Sequence, residues 1–144
     1  MNILVAIDGS AFSEAAVQKV MQSQPTDANV RVMHVIELLP VMESWAYSVD
    51  WERILQDRRK EAETFVARAA ESLRKAGFTV TSAIDQGDAK SLIVEAAGKW
   101  PADLVVVGSH GRKGLDRFLL GSVAEAIARH VRCSVLIVRA QPAA

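Results

Sequence analysis

The sequence predicts an α/β fold in which a doubly wound, five-stranded parallel sheet carries helices on both faces. Five β-rich runs alternate with helical patterns along the chain, and this alternation is typical of parallel strands joined by right-handed crossovers. The run at residues 104–107 is short, continuous and apolar, as in a strand buried on both faces. The chain has 144 residues, 50% of them hydrophobic, and no repeat or linker divides it. We therefore expect a single domain over residues 1–144.

The predicted strands are short runs rich in β-branched residues and bounded by turn residues. They cover residues 3–7, 30–36, 78–84, 104–107 and 135–138. The third run alternates apolar and polar residues, which favours a half-exposed strand near an edge of the sheet. The last run is apolar throughout, and an exposed edge strand of that kind is able to pair with another chain.

Four helices are predicted between the strands from apolar residues at helical spacing. They cover residues 13–22, about 50–76, about 88–99, and a last helix that opens at Ser122. Gly77 ends the second helix, and Asp88 can cap the third. Ser122 and Glu125 have the spacing of a capping box, so we expect Ser122 to cap the last helix.

A long apolar loop at residues 37–49 follows the second strand. A loop of this length inside a compact domain is usually a lid, a contact surface or partly disordered. It lies at the carboxyl end of the sheet, where open α/β folds bind ligands. Three roles are open for its aromatic residues Trp45 and Tyr47 and for the nearby Trp51. They are a ligand lid, a partner surface, or packing on the second helix or its neighbour.

A glycine-rich stretch links the most buried strand to the last helix and carries Gly108, Gly111 and Gly121, followed by Ser122. Glycines allow a backbone to approach a ligand closely, and a helix N-terminus favours phosphate through its free amides and its dipole. Gly121 and Ser122 would offer amides and a hydroxyl to a terminal phosphate, and Gly108 and Gly111 would surround the inner phosphates and ribose. The alternative is that the glycines only form a loop and Ser122 only caps its helix. Nearby cations are Arg112 and Lys113.

The spacing Gly108-x-x-Gly111, nine residues, Gly121-Ser122 is similar to the nucleotide-binding signature of the universal stress protein family. The resemblance covers the whole chain, with ILVAIDGS at residues 3–10, VMHV at 32–35, GD at 87–88 and SVLIV at 134–138. It implies a sheet of order 3-2-1-4-5, a homodimer, and ATP held across the strand ends. Because every position of the glycine motif is present, the chain resembles the ATP-binding subgroup.

The resemblance also implies roles for individual residues. Asp8 would lie near the ribose or, through Mg²⁺ or Mn²⁺, near phosphate, although Asp8 or Ser10 could instead only cap the first helix. Val35 would contact the adenine, and His110 would line the site without a catalytic role. The ribose and phosphates would be bordered by Val107, Gly108 and Gly111, and the outer phosphates by Gly121, Ser122 and Val123.

Composition excludes several classes of partner and enzyme. The formal net charge is zero, so neither nucleic acid nor a membrane surface is an expected partner. Cys133 is the single cysteine, and with no leader-like N-terminus we expect a cytoplasmic protein. The phosphate-loop, dinucleotide-binding and serine-hydrolase motifs are absent from the sequence,. Its three histidines lack metal-ligand spacing, and we expect His34 to be a satisfied sheet or interface residue.

Three functions remain from the sequence. The first is an ATP-binding regulatory homodimer, paired through the strand at residues 135–138, in which bound ATP, ADP or AMP sets the state of a loop or partner. The second is a slow ATPase or a nucleotidyl or phosphoryl transferase, although no acid–base pair for turnover is visible. The third is a dimerising scaffold without nucleotide.

Overall fold

The structure is a computed structural model that describes residues 1–23, 27–37, 50–112 and 119–140. Within these residues, strands and helices alternate as β1 (Asn2–Ala6), α1 (Ala11–Ser23), β2 (Asn29–Ile36), α2 (Trp51–Lys75), β3 (Thr79–Gln86), α3 (Ala89–Lys99), β4 (Leu104–Gly108), α4 (Ser122–His130) and β5 (Ser134–Val138). All neighbouring strands are parallel, in the order β3-β2-β1-β4-β5. The predicted fold class and strand order are confirmed.

The sheet separates two hydrophobic clusters. Ile3 and Val5 of β1 face one cluster, which includes buried residues of α1 and α2. Leu4 and Ala6 face the other, which includes buried residues of α3 and α4. The chain thus winds in one direction from β1 to β3 and in the other from β4 to β5, which places a topological switch point between β1 and β4. Ligands of open α/β sheets bind outside the strand ends at such a point.

Both predicted edge strands lie at the edges of the sheet. β3 is one edge, and it runs two residues beyond the prediction because Asp85 and Gln86 continue its register with Val35 and Ile36 of β2. β5 is the other edge, and the side chains of its last four residues are half-buried.

Most of the predicted helix ends are confirmed. The Asp88 carboxylate accepts a hydrogen bond from the Ser91 amide at 3.1 Å at the start of α3. Asp50 caps α2 in the same way, through the Arg53 amide at 3.2 Å. After α2, Gly77 has a φ of +99°, a left-handed conformation that favours glycine.

The predicted capping box of α4 is wrong. Gly121, extended at φ −60° and ψ 148°, is the N-cap, so α4 begins at Ser122 itself. Glu125 does not reach back to cap the helix, because its carboxylate pairs with Arg129 at 3.0 Å. The Ser122 side chain therefore lies on the first turn of the helix.

Some predictions concern residues outside the described ranges. These are the loop residues 38–49, which contain Trp45 and Tyr47, and residues 113–118, which contain Lys113 and Gly114. Trp51 is described as the first, half-buried residue of α2. Among the described helices, none is both long and apolar enough to cross a bilayer.

Candidate functional site

A cleft of about 940 Å³ opens at the carboxyl ends of β1, β2 and β4. It lies at the switch point of the sheet, so its lining comes from both faces. One wall is formed by the glycine-rich segment and the first turn of α4, and the opposite wall by one side of α2. Between them, the ends of β1 and β2 and the start of α3 form the floor.

The three motif glycines are sites of close approach between chain segments. A Cβ atom on Gly108 would lie 2.8 Å from the backbone carbonyl carbon of Phe12 in α1. On Gly111 it would lie 2.8 Å from Oδ2 of Asp8, and on Gly121 it would lie 2.9 Å from the Ser109 carbonyl oxygen. Distances under about 3 Å are not tolerated by a real side chain. At Gly108 and Gly121 the contacting atoms are backbone, so glycine is required there by the folded chain, whereas at Gly111 the contact is with the Asp8 side chain, which is able to move.

The two ends of the glycine-rich segment are tied together by Ser109 and His110. The Gly121 amide donates to the Ser109 carbonyl at 2.8 Å. The His110 Nε2 contacts the Leu119 carbonyl, which only accepts, so this nitrogen carries the hydrogen and donates. Its Nδ1 then accepts from the Ser109 hydroxyl at 2.9 Å. The Gly121 amide, which the sequence predicts to serve a phosphate, thus has the Ser109 carbonyl as its acceptor in this structure.

The first turn of α4 supplies the amides instead. Ser122, Val123 and Ala124 line the cleft, and the first amides of a helix have no acceptor within the helix. The helix dipole places about half a positive charge at the same point. This end of the cleft is therefore suited to an anionic group.

Asp8 braces the turn after β1 and also holds the glycine-rich segment. Its Oδ1 accepts from the Ser10 amide at 2.9 Å, and its Oδ2 accepts from the Arg112 amide at 3.1 Å. The N-cap role belongs to Ser10, whose hydroxyl accepts from the Ser13 amide at 3.2 Å. Asp8 thus holds the Arg112 part of the glycine-rich segment beside the turn that follows β1.

Arg112 extends from this segment across the cleft towards α2. Its Nε donates to the Asp8 carbonyl at 2.7 Å, and its Nη2 pairs with Oε1 of Glu61 at 3.0 Å. The guanidinium also lies over the Phe65 ring, 5.6 Å from its centre. The Arg112 side chain therefore bridges the two walls of the cleft.

His34 is a satisfied sheet residue, as predicted, and it also lines the cleft. Its Nδ1 donates to the Ile7 carbonyl at 2.7 Å, and its ring meets Phe65 edge-on with centres 4.7 Å apart. Burial lowers the pKa of His34, an effect that the hydrogen bond to Ile7 and the charges of Asp8 and Glu61 oppose. The outcome favours the uncharged ring beside the cleft.

The end of β2 joins the floor to α3 and α2. The Glu37 carboxylate accepts from the Ala89 amide at 3.0 Å, and the Glu37 carbonyl accepts from Nη1 of Arg58 at 3.0 Å. Beside Glu37, the floor is apolar, with Val35, Ile36, Ala89 and Ile93. The cleft thus has an apolar end on β2 and α3 and an amide-rich end on α4.

The comparisons with known proteins agree with this architecture. The profile of the universal stress protein family matches residues 1–139. The chain belongs to the universal stress protein family. Universal stress protein MJ0531 of Methanocaldococcus jannaschii is 33% identical over 139 residues, which are 96% of this chain and 81% of that protein.

Several solved structures have the same fold as this chain. The hypothetical protein MJ0577 is 28% identical, with a TM-score of 0.84 over 99% of this chain and 97% of that one. A family protein from Arabidopsis thaliana with AMP bound is 18% identical, with a TM-score of 0.73 over 98% and 92%. A universal stress protein in complex with cAMP is 24% identical, with a TM-score of 0.72 over 98% of each chain.

Eight of the nine site residues predicted for this universal stress protein line the cleft: Asp8, Val35, Gly108, His110, Gly111, Gly121, Ser122 and Val123. Val107 is not among the lining residues; it lies one residue deeper in β4, within the core. The sequence interpretation missed the wall contributed by α2, namely Arg58, Glu61 and Phe65. Their spacing of three and four residues places them on one helix face, and a polar pair next to Phe65 on that face was the available signal.

Proposed function

We propose that this chain binds an adenine nucleotide in the cleft, ATP together with Mg²⁺ or Mn²⁺ or else ADP or AMP, and acts as a regulatory dimer. The observation that carries the proposal is the N-terminus of α4, which opens into the cleft through Ser122, Val123 and Ala124. Because helix N-termini attract phosphate, this end would hold the phosphates. Gly108 and Gly111 let the neighbouring backbone stay close to them.

The apolar end would take the base. Val35 and Ile36 at the end of β2, with Ala89 and Ile93 of α3, offer an apolar surface for a flat ring. Pockets for small molecules commonly combine an apolar lining with a few placed polar groups. The AMP and cAMP complexes of similar family structures support an adenine nucleotide as the ligand.

Asp8 would contact the ribose or a divalent cation on the phosphates. Its two oxygens each accept one amide hydrogen bond, and a carboxylate oxygen retains a further lone pair. No cluster of three or more histidine, cysteine, aspartate or glutamate side chains suited to a metal lies within the described ranges. A cation would therefore arrive with the nucleotide, held by phosphate oxygens, water and one carboxylate.

The described contacts favour binding of the nucleotide rather than its catalytic turnover. Asp8 braces backbone amides, Glu61 pairs with Arg112, and Glu37 accepts from the start of α3. With these carboxylates engaged, we propose that the bound nucleotide changes the state of the cleft and of a partner. The dimer would form through the edge strand β5, whose apolar residues are half-buried, and edge strands pair readily with a second chain. We place the protein in the cytoplasm, in line with its single cysteine.

The test is calorimetric titration with ATP·Mg and with AMP, with light scattering on the same samples. We expect binding by the wild type, and a loss of affinity in Gly121→Val, whose side chain would crowd Ser109 and the phosphate end. Gly98→Val is the matched control, because a Cβ on Gly98 meets nothing within 4 Å. Absence of heat with both nucleotides, or equal affinities of the two variants, would contradict the proposed site. A monomer at micromolar concentration would contradict the dimer.

A further inference from the structure

We propose that Glu61 competes with the nucleotide phosphates for Arg112, so that phosphate binding breaks the bridge between the two walls of the cleft. This inference rests on the proposed function, because it assigns a partner exchange to the same site. In this proposal Arg112 binds phosphate. Glu61 then determines how strongly the affinity for the nucleotide depends on its phosphates.

Arg112 is held at its base by two hydrogen bonds to Asp8 and at its tip by Glu61. The backbone amide donates to Oδ2 of Asp8 at 3.1 Å and Nε donates to the Asp8 carbonyl at 2.7 Å. Only Nη2 reaches Glu61. A change of partner at Nη2 therefore needs a small rotation of the guanidinium and leaves the glycine-rich segment in place.

The ion pair is weak enough to be exchanged. The side chains of Arg112 and Glu61 are 51% and 59% exposed, and exposed ion pairs contribute between zero and about 1 kcal/mol. A guanidinium holds phosphate through charge-assisted and often bidentate hydrogen bonds, which are stronger than neutral ones. A phosphate that reaches Arg112 is thus able to displace the Glu61 carboxylate.

The charge of the cleft gives the exchange a consequence. Among the described lining residues there are three carboxylates, on Asp8, Glu37 and Glu61, and two guanidiniums, on Arg58 and Arg112. Arg58 donates to the Glu37 carbonyl, away from the α4 end, while Arg112 belongs to the glycine-rich segment that forms the phosphate wall. Among the described lining residues a polyanion therefore meets an excess of one negative charge, and Glu61 both repels it and pairs with the guanidinium of the phosphate wall.

The experiment compares adenosine, AMP and ATP·Mg by calorimetric titration on the wild type, Glu61→Gln and Glu63→Gln. Glu63 is the matched control, since it lies on α2 with a 60% exposed carboxylate and pairs with Arg59, not Arg112. We expect Glu61→Gln to tighten ATP·Mg binding by about two- to fivefold, the range that an exposed ion pair allows. Adenosine affinity should stay unchanged in both variants.

Variants of Arg112 complete the cycle. Arg112→Gln should weaken ATP·Mg binding by about tenfold, the loss of one hydrogen bond to a charged group, while Arg112→Lys retains part of it. Adding Glu61→Gln to Arg112→Gln should then give no further gain, because the competitor has lost its partner. Thermal unfolding of each variant shows whether a lost affinity reflects a lost fold.

Equal effects of Glu61→Gln and Glu63→Gln would overturn the inference, since only the general field of α2 would then matter. A gain from Glu61→Gln that persists without Arg112, or that extends to adenosine, would also overturn it. If the wild type binds adenosine and AMP but shows no such differences, this inference fails while the proposed function stands. If it binds none of the three ligands, the proposed function itself fails.

Discussion

The two walls of the cleft are built in different ways. The glycine wall, which consists of the glycine-rich segment and the first turn of α4, depends on backbone contacts. Gly121 donates to the Ser109 carbonyl, and Gly108 lies against the Phe12 backbone. The α2 wall depends on long side chains, among them Arg58 and Glu61, which reach across to partners on other elements. The first wall can therefore change only if chain segments move apart, whereas the second can change by rotation of a side chain.

This difference fits the separate roles that we propose for the two walls. Electrostatic stabilisation is most effective when its donors are already in position, which is a property of the α4 amides. Sensitivity to the ligand needs an element with two arrangements of similar free energy, which is a property of an exposed ion pair. The glycine wall would hold the phosphates, and the α2 wall would respond to them.

We expect the largest loss of stability from Gly108→Ala in the glycine wall. The new methyl group would lie 2.8 Å from the Phe12 carbonyl carbon and 2.9 Å from its oxygen, so β4 and α1 would have to separate. We expect the free energy of unfolding to fall by about 1–3 kcal/mol, the usual effect of overpacking. Urea denaturation measures it.

The control for this change is Gly98→Ala in α3, where the added Cβ meets nothing within 4 Å. There the better helix propensity of alanine should raise stability by up to about 1 kcal/mol. If both variants were equally stable, the glycine wall would not be the rigid part of the cleft.

A smaller effect is expected from His110, which ties the ends of the glycine wall through Ser109 and Leu119. His110→Ala leaves the hydroxyl of Ser109, a residue only 2% exposed, without its present partner. We expect a loss of about 1–2 kcal/mol in the free energy of unfolding, the usual range for such a group. Thermal or urea unfolding measures it.

Two conservative variants divide this loss between the two hydrogen bonds. Asn at position 110 places a polar atom where Nδ1 lies and should restore the contact with Ser109. Gln at position 110 reaches the position of Nε2 and should restore the donation to Leu119, whose side chain is exposed. Because the Ser109 hydroxyl is the more buried group, His110→Asn should recover more stability than His110→Gln. The reverse order would show that the Leu119 contact is the important one.

The same difference between the walls explains what the sequence predicts. The glycine wall is predictable because its residues are close in sequence and glycine has a specific geometric role, and all six proposed site residues in this wall line the cleft. The strand order required the family resemblance, and the structure confirms it. The prediction of a capping box failed because the spacing of Ser122 and Glu125 is the same whether Ser122 is the N-cap or the first residue of the helix. In the structure Gly121 is the N-cap and Ser122 is the first helical residue.

The α2 wall is not predictable in the same way. Arg112 and Glu61 are 51 residues apart, and neither residue type identifies its partner. Only the tertiary arrangement of α2 over the carboxyl end of β1 brings them together. Val107 shows the same limit of prediction from the sequence. Whether a residue of β4 lines the cleft or lies behind it depends on where the strand ends.

The smallest expected effect concerns pH and His34, which lies between the two walls. Burial lowers the pKa of His34, and Arg112 lowers it further, while the Ile7 carbonyl, Asp8 and Glu61 raise it. Since the folded pKa lies below the unfolded value of about 6.5, the unfolded chain binds the proton more readily below that pH. The contribution of His34 is therefore fully present above about pH 6.5 and is lost as the pH falls through the folded pKa.

His34→Gln separates this effect from the other titrating groups, because the glutamine amide is able to donate to Ile7 and carries no charge. Urea denaturation at about pH 7.5 and about pH 5.5 should show a larger loss of stability in the wild type than in His34→Gln. All other ionisable residues are identical in the two proteins, so the difference between the two losses of stability reports on His34. An equal loss of stability in the two proteins would mean that the cleft accommodates a charged His34. The carboxylates of Asp8 and Glu61, not the burial of the ring, would then dominate the electrostatics at His34.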